Sequence, residues 1–329
     1  MKTKIIFMSV LIVAVLLVAG CVNNVQKESK DKMTIVTTLF PLYEFAKEVG
    51  GEKIDVTLLL PPGAEAHTFE PKPSDIQKIN NADVFLYIGA GMEPWAHDIV
   101  EGSNNKDLLL LDASSKVTLL KSEEHDEHEH EAEEEHDHES EEHEEEHQHG
   151  EYDPHIWLDF ENDEKIVDAI AQTFAQKDPK NSEFYIKNAQ GYNAKLSSLN
   201  QKYSDGLSNC KQKEFISGGH NAFAYLAHKY NLESISAFGI SPDSEPTPQK
   251  IKEIVDLTKE HGIKYIYFEK LVNPKMAETI AQEANAKTLV LNPAHNLLKE
   301  QFQQEVTFIS LMEENLQNLK IGLECESNS

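Results

Sequence analysis

Strand-like and helix-like segments alternate along this 329-residue chain, and this alternation constrains the fold more than any other feature. β-rich runs such as 33–38 and 84–88 are separated by segments with helical spacing, and the same order returns after residue 209. Such alternation is the signature of a parallel sheet covered by helices. The pattern therefore predicts an α/β protein with two doubly wound parallel-sheet lobes.

The individual elements follow from β-rich runs, helical periodicity and breaking residues. In the first lobe we expect strands at 33–38, 54–60, 84–88 and 108–111, with helices at 41–50 and 74–80. In the second lobe we expect a helix beginning near His220, a partly extended segment at 232–238, strands at 214–217, 263–268 and 288–291, and helices at 247–260, 274–284 and 303–319.

Between the two halves lies a long segment with apolar residues at helical spacing. The spacing covers 161–175 and 182–207, and Asp178-Pro179 interrupts it. We expect this segment to run across a domain face or to join the two domains. The predicted organisation is therefore given by the following boundaries: an N-terminal lobe at 33–160, a linking helix at 161–208, a C-terminal lobe at 209–323 and a tail at 324–329.

The amino terminus has the features of a targeting segment. A basic start precedes an apolar run over 5–18, which is shorter than the about 20 residues that a membrane-spanning helix needs. Small residues follow, and Cys21 stands directly after Ala-Gly, as in a lipobox. We expect a signal peptide at 1–21, lipidation of Cys21 and a polar tether at 22–32, which together predict an extracytoplasmic, lipid-anchored protein. The alternative is an uncleaved anchor.

A low-complexity insert at 123–149 contains eight of the fifteen histidines, separated by acidic residues. The segment from 123 to 150 holds 16 acidic residues and no Lys or Arg, which is more than half of the net charge of −27. This acidic balance argues against nucleic acid as a partner. The insert lacks the apolar residues that a core requires. We interpret it as a low-affinity collector of divalent cations, with a solvated acidic loop as the alternative.

Two cysteines, Cys210 and Cys325, remain if Cys21 is lipidated. An oxidising compartment permits a disulfide between them. Two separate thiols are the alternative.

Three histidines outside the insert follow predicted strands or precede predicted helices, next to Pro, Gly or Asp. They are His67, His155 and His220. Neutral imidazole is a good ligand for zinc and related metals, and three nitrogens with one further group complete a four-coordinate site. Ligands of doubly wound sheets bind at the carboxyl ends of the strands, which predicts a metal site in the cleft between the lobes. Nearby acids, including Glu65 and Asp159, are candidates to orient the rings.

Four segments carry a resemblance to a known family. They are Thr38-Leu39-Phe40-Pro41-Leu42-Tyr43, Ala66-His67-Thr68-Phe69-Glu70-Pro71-Lys72-Pro73-Ser74-Asp75, Asp153-Pro154-His155-Ile156-Trp157-Leu158-Asp159 and Gly218-Gly219-His220-Asn221-Ala222-Phe223-Ala224-Tyr225-Leu226. Pro246-Thr247-Pro248 and Phe268-Glu269 match the later part. The chain resembles the zinc/manganese-type substrate-binding lipoproteins of ABC transporters, the ZnuA-like proteins, over roughly 33–319. The resemblance implies that a long helix joins the lobes and that the lobes move little when metal binds.

The resemblance also implies that His67, His155 and His220 are metal ligands. The family often has an Asp where this chain has Asn292, so the fourth ligand stays open among Asn292, His295, Glu65 and water. Manganese-type members tend to supply two carboxylates, whereas nitrogen-rich ligation favours Zn²⁺ over Mn²⁺. We therefore expect Zn²⁺ as the transported ligand.

The leading functional hypothesis is capture of extracytoplasmic Zn²⁺ by a monomer and its delivery to an ABC permease powered by a cytoplasmic ATPase. Alternatives are manganese or iron(II) binding on the same scaffold, a surface metal buffer or adhesin, and a zinc hydrolase. The last is disfavoured because the chain lacks a Gly-x-Ser-x-Gly motif and has no His-Glu-x-x-His motif outside the low-complexity insert.

Overall fold

The computed structural model describes residues 32–122, 151–240 and 246–326. The predicted signal peptide with Cys21, nearly all of the tether and the histidine-rich insert lie outside the described residues. Within the described ranges, no helix combines the length and the apolar character needed to cross a bilayer.

The first lobe contains one four-stranded sheet in which every neighbouring pair is parallel. Its strands are β1 (Met33–Thr37), β2 (Ile54–Leu58), β3 (Val84–Tyr87) and β4 (Leu109–Asp112). They lie in the order β2-β1-β3-β4. The helices of this lobe are α1 (Phe40–Gly50), α2 (Pro73–Asn81) and α3 (Ala96–Glu101).

The second lobe repeats this arrangement with a second parallel sheet, in the order β6-β5-β7-β8. Its strands are β5 (Glu214–Ser217), β6 (Glu233–Ser236), β7 (Tyr265–Phe268) and β8 (Lys287–Val290). In each sheet the strand order reverses beside the first strand of the lobe, and such switch points are where doubly wound sheets bind ligands. The predicted fold of two doubly wound lobes is confirmed.

The linking segment forms two helices, α4 (Phe160–Lys177) and α5 (Ser182–Leu207), where the sequence predicts one long helical segment interrupted at Asp178-Pro179. Asp178 ends α4, and its carboxylate accepts hydrogen bonds from the Asn181 amide and the Tyr185 hydroxyl. At 1.5 Å per residue, the 26 residues of α5 extend for about 39 Å.

This length lets α5 contact both lobes. Near its start, the Asn188 side chain donates to the carbonyl of Val49 in the first lobe. Near its end, the Tyr203 hydroxyl donates to the carbonyl of Met312 in the second lobe. The helix therefore joins the two lobes, as the resemblance implies.

The remaining helices of the second lobe are α6 (Ala224–Lys229), α7 (Pro248–Glu260), α8 (Lys275–Ala284), α9 (Lys299–Gln303) and α10 (Phe308–Gly322). The predicted helix near His220 is wrong in its start, because the chain remains a loop until Phe223. The backbone N–H groups of Gly218 and Asn221 donate to the carbonyls of Tyr267 and Gly239, which prevents helical pairing there.

The predicted closing helix at 303–319 also differs from the structure, which has two helices in this region. Thr307 begins α10 with a capping box: its hydroxyl accepts from the N–H of Ser310, and the Ser310 hydroxyl oxygen accepts from the N–H of Thr307. A side chain that caps an N-terminus starts a new helix rather than continuing an old one.

One continuous cluster of buried apolar side chains extends through both lobes and the linking helices. It includes Ile35 of the first sheet, Leu196 of α5 and Phe215 of the second sheet. Aromatic contacts reinforce it, for example Phe45 against Phe308, whose ring centroids are 5.2 Å apart. Smaller clusters cover the outer face of each sheet. The two lobes therefore share one main apolar core.

Cys210 and Cys325, which the sequence predicts to pair, form a disulfide across a sequence separation of 115. The bond joins the residues just after α5 to those just after α10. It therefore links the segment after α10 to the segment that leads from α5 into the second sheet.

Candidate metal site

His67 lies in the loop that follows β2, at the carboxyl edge of the first sheet. One carboxylate oxygen of Glu65 accepts from the backbone N–H groups of Ala66, at 2.9 Å, and His67, at 3.2 Å. Glu65 therefore orients the backbone of His67. Its second carboxylate oxygen lies 3.9 Å from Nε2 of His295.

His155 is fully buried in the segment between the insert and α4. Oδ1 of Asp153 lies 2.8 Å from the backbone nitrogen of His155 and 2.8 Å from its Nδ1. Because this oxygen already accepts the backbone N–H of His155, it acts as an acceptor, and the contact places the ring proton on Nδ1. Nε2 of His155 then presents a lone pair away from Asp153.

His220 lies at the carboxyl end of β5 and is also fully buried. Oε1 of Glu269 lies 3.1 Å from its backbone nitrogen and 2.8 Å from its Nδ1. This approach requires a glycine at position 219, where a Cβ atom would lie 2.0 Å from Oε1 of Glu269. As with His155, a buried carboxylate directs Nε2 of the ring toward the other histidines.

The three predicted histidines converge. Nε2 of His155 lies 3.2 Å from Nε2 of His67 and 3.2 Å from Nε2 of His220. The three ring centroids are 5.1 to 5.2 Å apart, and one ligand atom from each residue lies within 4.8 Å of the other two. With Nδ1 of His155 and His220 engaged by carboxylates, both rings turn Nε2 toward a shared centre, where a cation could take the place of a proton.

Burial and neighbouring charge set the protonation of the cluster. Burial, aided by the other imidazoles, lowers the pKa of His67 and of His155, which keeps both rings neutral. Burial also lowers the pKa of His220, but the charge and hydrogen bond of Glu269 outweigh it and hold this pKa above its usual value. Burial raises the pKa of Asp153 to about 7. A cation bound at Nε2 of His155 would favour the ionised form of Asp153.

A fourth imidazole, His295, is 1% exposed beside this cluster. Its ring centroid lies 5.9 Å from that of His220, and its ligand atom falls within 4.8 Å of those of His220 and Glu269. Neither of its ring nitrogens has a hydrogen-bond partner among the described residues. Buried polar atoms normally have partners, so an unpartnered imidazole here is suited to a cation.

Asn292, another candidate from the sequence, is placed differently. Its Oδ1 accepts from the backbone N–H of Ala294 at 2.8 Å, so this oxygen already serves the turn that leads to His295. The structure thus brings His295 to the cluster with ring nitrogens that have no partner among the described residues, whereas the amide oxygen of Asn292 is hydrogen-bonded within the turn.

The carboxylates that orient the rings are not those expected from the sequence. Asp159 caps α4, where its side chain accepts from the N–H of Glu161, and Glu65 contacts a backbone rather than a ring in the histidine triad. The orienting residues are Asp153 and Glu269. Asp153 stands two positions before His155, which is a usable signal, whereas Glu269 is 49 residues from His220 and only the fold brings them together.

The described residues that flank the insert lie in contact with each other, a few positions before His155. The N–H of Ser122 donates to the carbonyl of Glu151 at 2.9 Å, and Lys121 pairs with Tyr152 in an antiparallel bridge. His155 follows three residues after this bridge. The two flanks of the insert, at 122 and 151, therefore adjoin the segment that carries His155.

The chain is similar to proteins of known role over nearly its whole length. The sequence profile of the family described as "Zinc-uptake complex component A periplasmic" matches residues 35–322. The high-affinity zinc uptake system protein ZnuA of Bacillus subtilis is 39% identical over 94% of this chain and 94% of that protein. The zinc-binding lipoprotein AdcA of Streptococcus pneumoniae is 38% identical over 93% of this chain, which spans only 58% of AdcA.

Solved structures give the same result. The Zn(II)-bound ZnuA-like domain of Streptococcus pneumoniae AdcA superposes with a TM-score of 0.73 at 35% identity, covering 89% of this chain and 99% of that domain. The laminin-binding protein Lmb of Streptococcus agalactiae, described as a bifunctional protein with adhesin and metal-transporting activity, superposes with a TM-score of 0.72 at 30% identity, covering 88% and 100%. The expected resemblance is confirmed, and this chain belongs to the ZnuA family of zinc-uptake substrate-binding proteins.

Proposed function

We propose that this protein is the substrate-binding subunit of a zinc ABC import system and binds one Zn²⁺ through His67, His155, His220 and His295. The observation that carries the proposal is the convergence of His67, His155 and His220, two of them held by carboxylates at Nδ1, with the buried His295 beside His220. Four nitrogen donors are compatible with the tetrahedral coordination that Zn²⁺ prefers. Asp153 and Glu269 hold the tautomers and the ring orientations.

The donor set supports zinc over manganese and iron(II). Harder divalent ions favour oxygen ligands, and sites rich in imidazole bind zinc more tightly than manganese or iron(II). Glu65 is the nearest carboxylate to His295 and is proposed as a weak contributor, whereas Asn292 contributes to the turn. Four protein ligands leave no position for an activated water, which supports binding and delivery rather than hydrolysis.

The transport context rests on the relatives. ZnuA of Bacillus subtilis is named as part of a zinc uptake system, and AdcA is named as a lipoprotein. We extend these roles to this chain: an extracytoplasmic domain anchored through a lipidated Cys21 would pass its ion to a membrane permease powered by a cytoplasmic ATPase. The histidine-rich insert would concentrate divalent cations beside the cleft.

The first test measures the metal itself. Purified full-length protein should contain one tightly bound zinc, and competition with a chromophoric chelator should show weaker binding of Mn²⁺. His67→Ala, His155→Ala and His220→Ala should each lower zinc affinity by at least about 100-fold. His228→Ala, which alters an exposed histidine of α6, is the matched control and should leave zinc affinity unchanged.

The second test measures transport. A strain lacking the gene should grow poorly in zinc-chelated medium, and the native protein but not the His155→Ala variant should restore growth. If the purified protein prefers Mn²⁺, or if the His155→Ala variant restores growth fully, the proposal is wrong.

One neighbour supports a second role on the same scaffold. Lmb is described as having adhesin activity in addition to metal transport. Binding of the zinc-loaded protein to immobilised laminin, compared with binding of the insert-deleted protein, tests this role independently of zinc affinity.

A further inference from the structure

A short segment, residues 292–297, crosses from the second lobe to the first and carries His295. We call it the crossing segment. At the start of this segment, the buried side chain of Asn315 in α10 makes two hydrogen bonds to the backbone of Asn292. Oδ1 of Asn315 accepts from the N–H of Asn292 at 2.8 Å, and Nδ2 of Asn315 donates to the carbonyl of Asn292 at 2.7 Å. This end therefore belongs to the second lobe.

The other end is attached to the first lobe by Asn296, which is 0% exposed. Nδ2 of Asn296 donates to the carbonyls of Pro61 and Ala64, both at 2.8 Å. The carbonyl of Leu297 accepts from the N–H of Gly63 at 2.8 Å. Pro61–Ala64 is the loop that leads directly to Glu65 and His67, so one asparagine side chain connects that loop to the segment of His295.

Between these two attachments the backbone has little freedom. Ala294 is fully buried and has a φ of +59°, a left-handed conformation that costs a non-glycine residue about 1 kcal/mol or more. Oδ1 of Asn292 accepts from its N–H. The carbonyl of His295 accepts from the N–H of Phe40, at 3.2 Å. The position of His295 is therefore determined by contacts on both sides of the cleft.

We infer that Asn296 is a positioning residue for metal binding: its side chain sets the separation between His67, on the first lobe, and His295, on the crossing segment. Without the two hydrogen bonds from Nδ2, the backbone bond from Gly63 to Leu297 remains, but the spacing between the His67 loop and the crossing segment is less tightly fixed. The inference rests on the proposed function, because it assumes that one ion contacts both histidines. Small displacements of ligands lower affinity and alter coordination geometry.

The chain offers a matched control for this residue. Nδ2 of Asn105 likewise donates to two backbone carbonyls, those of Asn80 and Ala82, both at 3.0 Å, and its Oδ1 accepts from the N–H of Asp107. Asn105 precedes β4 in the chain and so lies at the amino edge of the first sheet, whereas His67 lies at the carboxyl edge. Asn296→Ala therefore removes this type of contact close to the site, and Asn105→Ala removes the same type of contact far from it.

The experiment compares full-length native protein, Asn296→Ala and Asn105→Ala by zinc competition and by the visible absorption spectrum of bound Co²⁺. Asn296→Ala should lower zinc affinity about tenfold or more and change the Co²⁺ ligand-field bands. Asn105→Ala should lower the melting temperature of the apoprotein without changing either metal readout. Asn296→Asp, of equal size, should also shift the Co²⁺ bands, since it lacks the two donors.

A double-mutant cycle tests whether Asn296 acts through the ligands. In a His295→Ala background the added Asn296→Ala change should alter zinc affinity by less than about threefold. An unchanged Co²⁺ spectrum in Asn296→Ala, or an equal loss with and without His295, would overturn the inference. Failure of the native protein to bind zinc would instead contradict the proposed function.

Discussion

The indole N–H of Trp157 donates to the carbonyl of Pro293 at 2.6 Å, so the segment that carries His155 is bonded directly to the one that carries His295. Trp157 is 0% exposed and stands two residues after His155, while Pro293 stands two residues before His295. A buried carbonyl without a donor loses its hydrogen bond without gaining water in exchange. This bond therefore links ligand geometry to the stability of the fold.

Trp157→Phe should destabilise the apoprotein by about 2–3 kcal/mol, because it leaves the Pro293 carbonyl unpaired and opens a small cavity. Zinc affinity should fall as well, since the bond positions the segment of His295. Urea unfolding and chelator competition measure the two effects. Trp95→Phe, at a partly exposed position, is the control. A native-like unfolding free energy for Trp157→Phe would show that the indole bond contributes little.

Glu269→Gln should weaken zinc binding by about 10- to 100-fold, because the amide keeps the shape of the carboxylate but removes the charge that engages Nδ1 of His220. Chelator competition at pH 7.5 measures this loss. The matched control is Glu214→Gln, because Glu214 makes the same type of contact with Nδ1 of His261 at the protein surface. Equal zinc affinities for both variants would mean that Glu269 plays no part in ligation.

Stability should depend on pH through Glu44, a buried residue of α1. Burial, together with the nearby charge of Glu48, raises the pKa of Glu44 to about 7. The folded protein therefore keeps this proton up to about pH 7, whereas the unfolded chain releases it near pH 4.5. Below pH 4.5 Glu44 is protonated in both states, and its contribution to the free energy of unfolding is fully present. This contribution is lost as the pH rises from 4.5 to about 7, which lowers the free energy of unfolding by at most about 3 kcal/mol.

Glu44→Gln should remove this dependence. Urea unfolding of the chelator-treated protein at pH 5 and pH 8 should show a smaller stability difference for Glu44→Gln than for the native protein. Glu283→Gln, at an exposed position of α8, should keep the native difference. Parallel pH profiles for the native protein and Glu44→Gln would show that Glu44 ionises normally in the folded state.

Deletion of the insert should leave the fold and the tight site intact, because Ser122 and Glu151 already lie in hydrogen-bond contact and a short turn can connect them. Calorimetry should show one tight zinc site with and without residues 123–149. The full-length protein should in addition bind several zinc ions weakly. Loss of the tight site on deletion would mean that the insert supplies a ligand.

The fold was predictable from the sequence because its elements alternate with clear periods and breakers. Each strand of the structure lies within or close to a predicted run, as with Val84–Tyr87 inside 84–88. The start of α6 was not predictable, because long-range backbone pairing of Gly218 with Tyr267 keeps that segment extended. The division before α10 depends on the capping role of Thr307, which the apolar spacing over 303–319 conceals.

Local sequence context identified the three histidines of the site, whereas the residues that contact them from distant positions in the sequence left no signal. His67, His155 and His220 stand next to turn-forming residues, and the structure brings these three together. Glu269 acts on His220 from another strand end, and Asn296 acts on the loop of His67 across 232 to 235 positions of sequence. Such pairings arise from the topology of the sheets and leave no local pattern.

The apolar core that the two lobes share limits how a bound ion can leave the cleft. Separating the lobes as rigid halves would expose side chains such as Leu196 and Phe215 to water, at about 25 cal/mol for each Å² of apolar surface. Unloading is therefore expected to begin in the loops around the cleft, where His67 is the least buried of the four imidazoles. A transport partner that displaces this one histidine would open the coordination shell while the scaffold stays assembled.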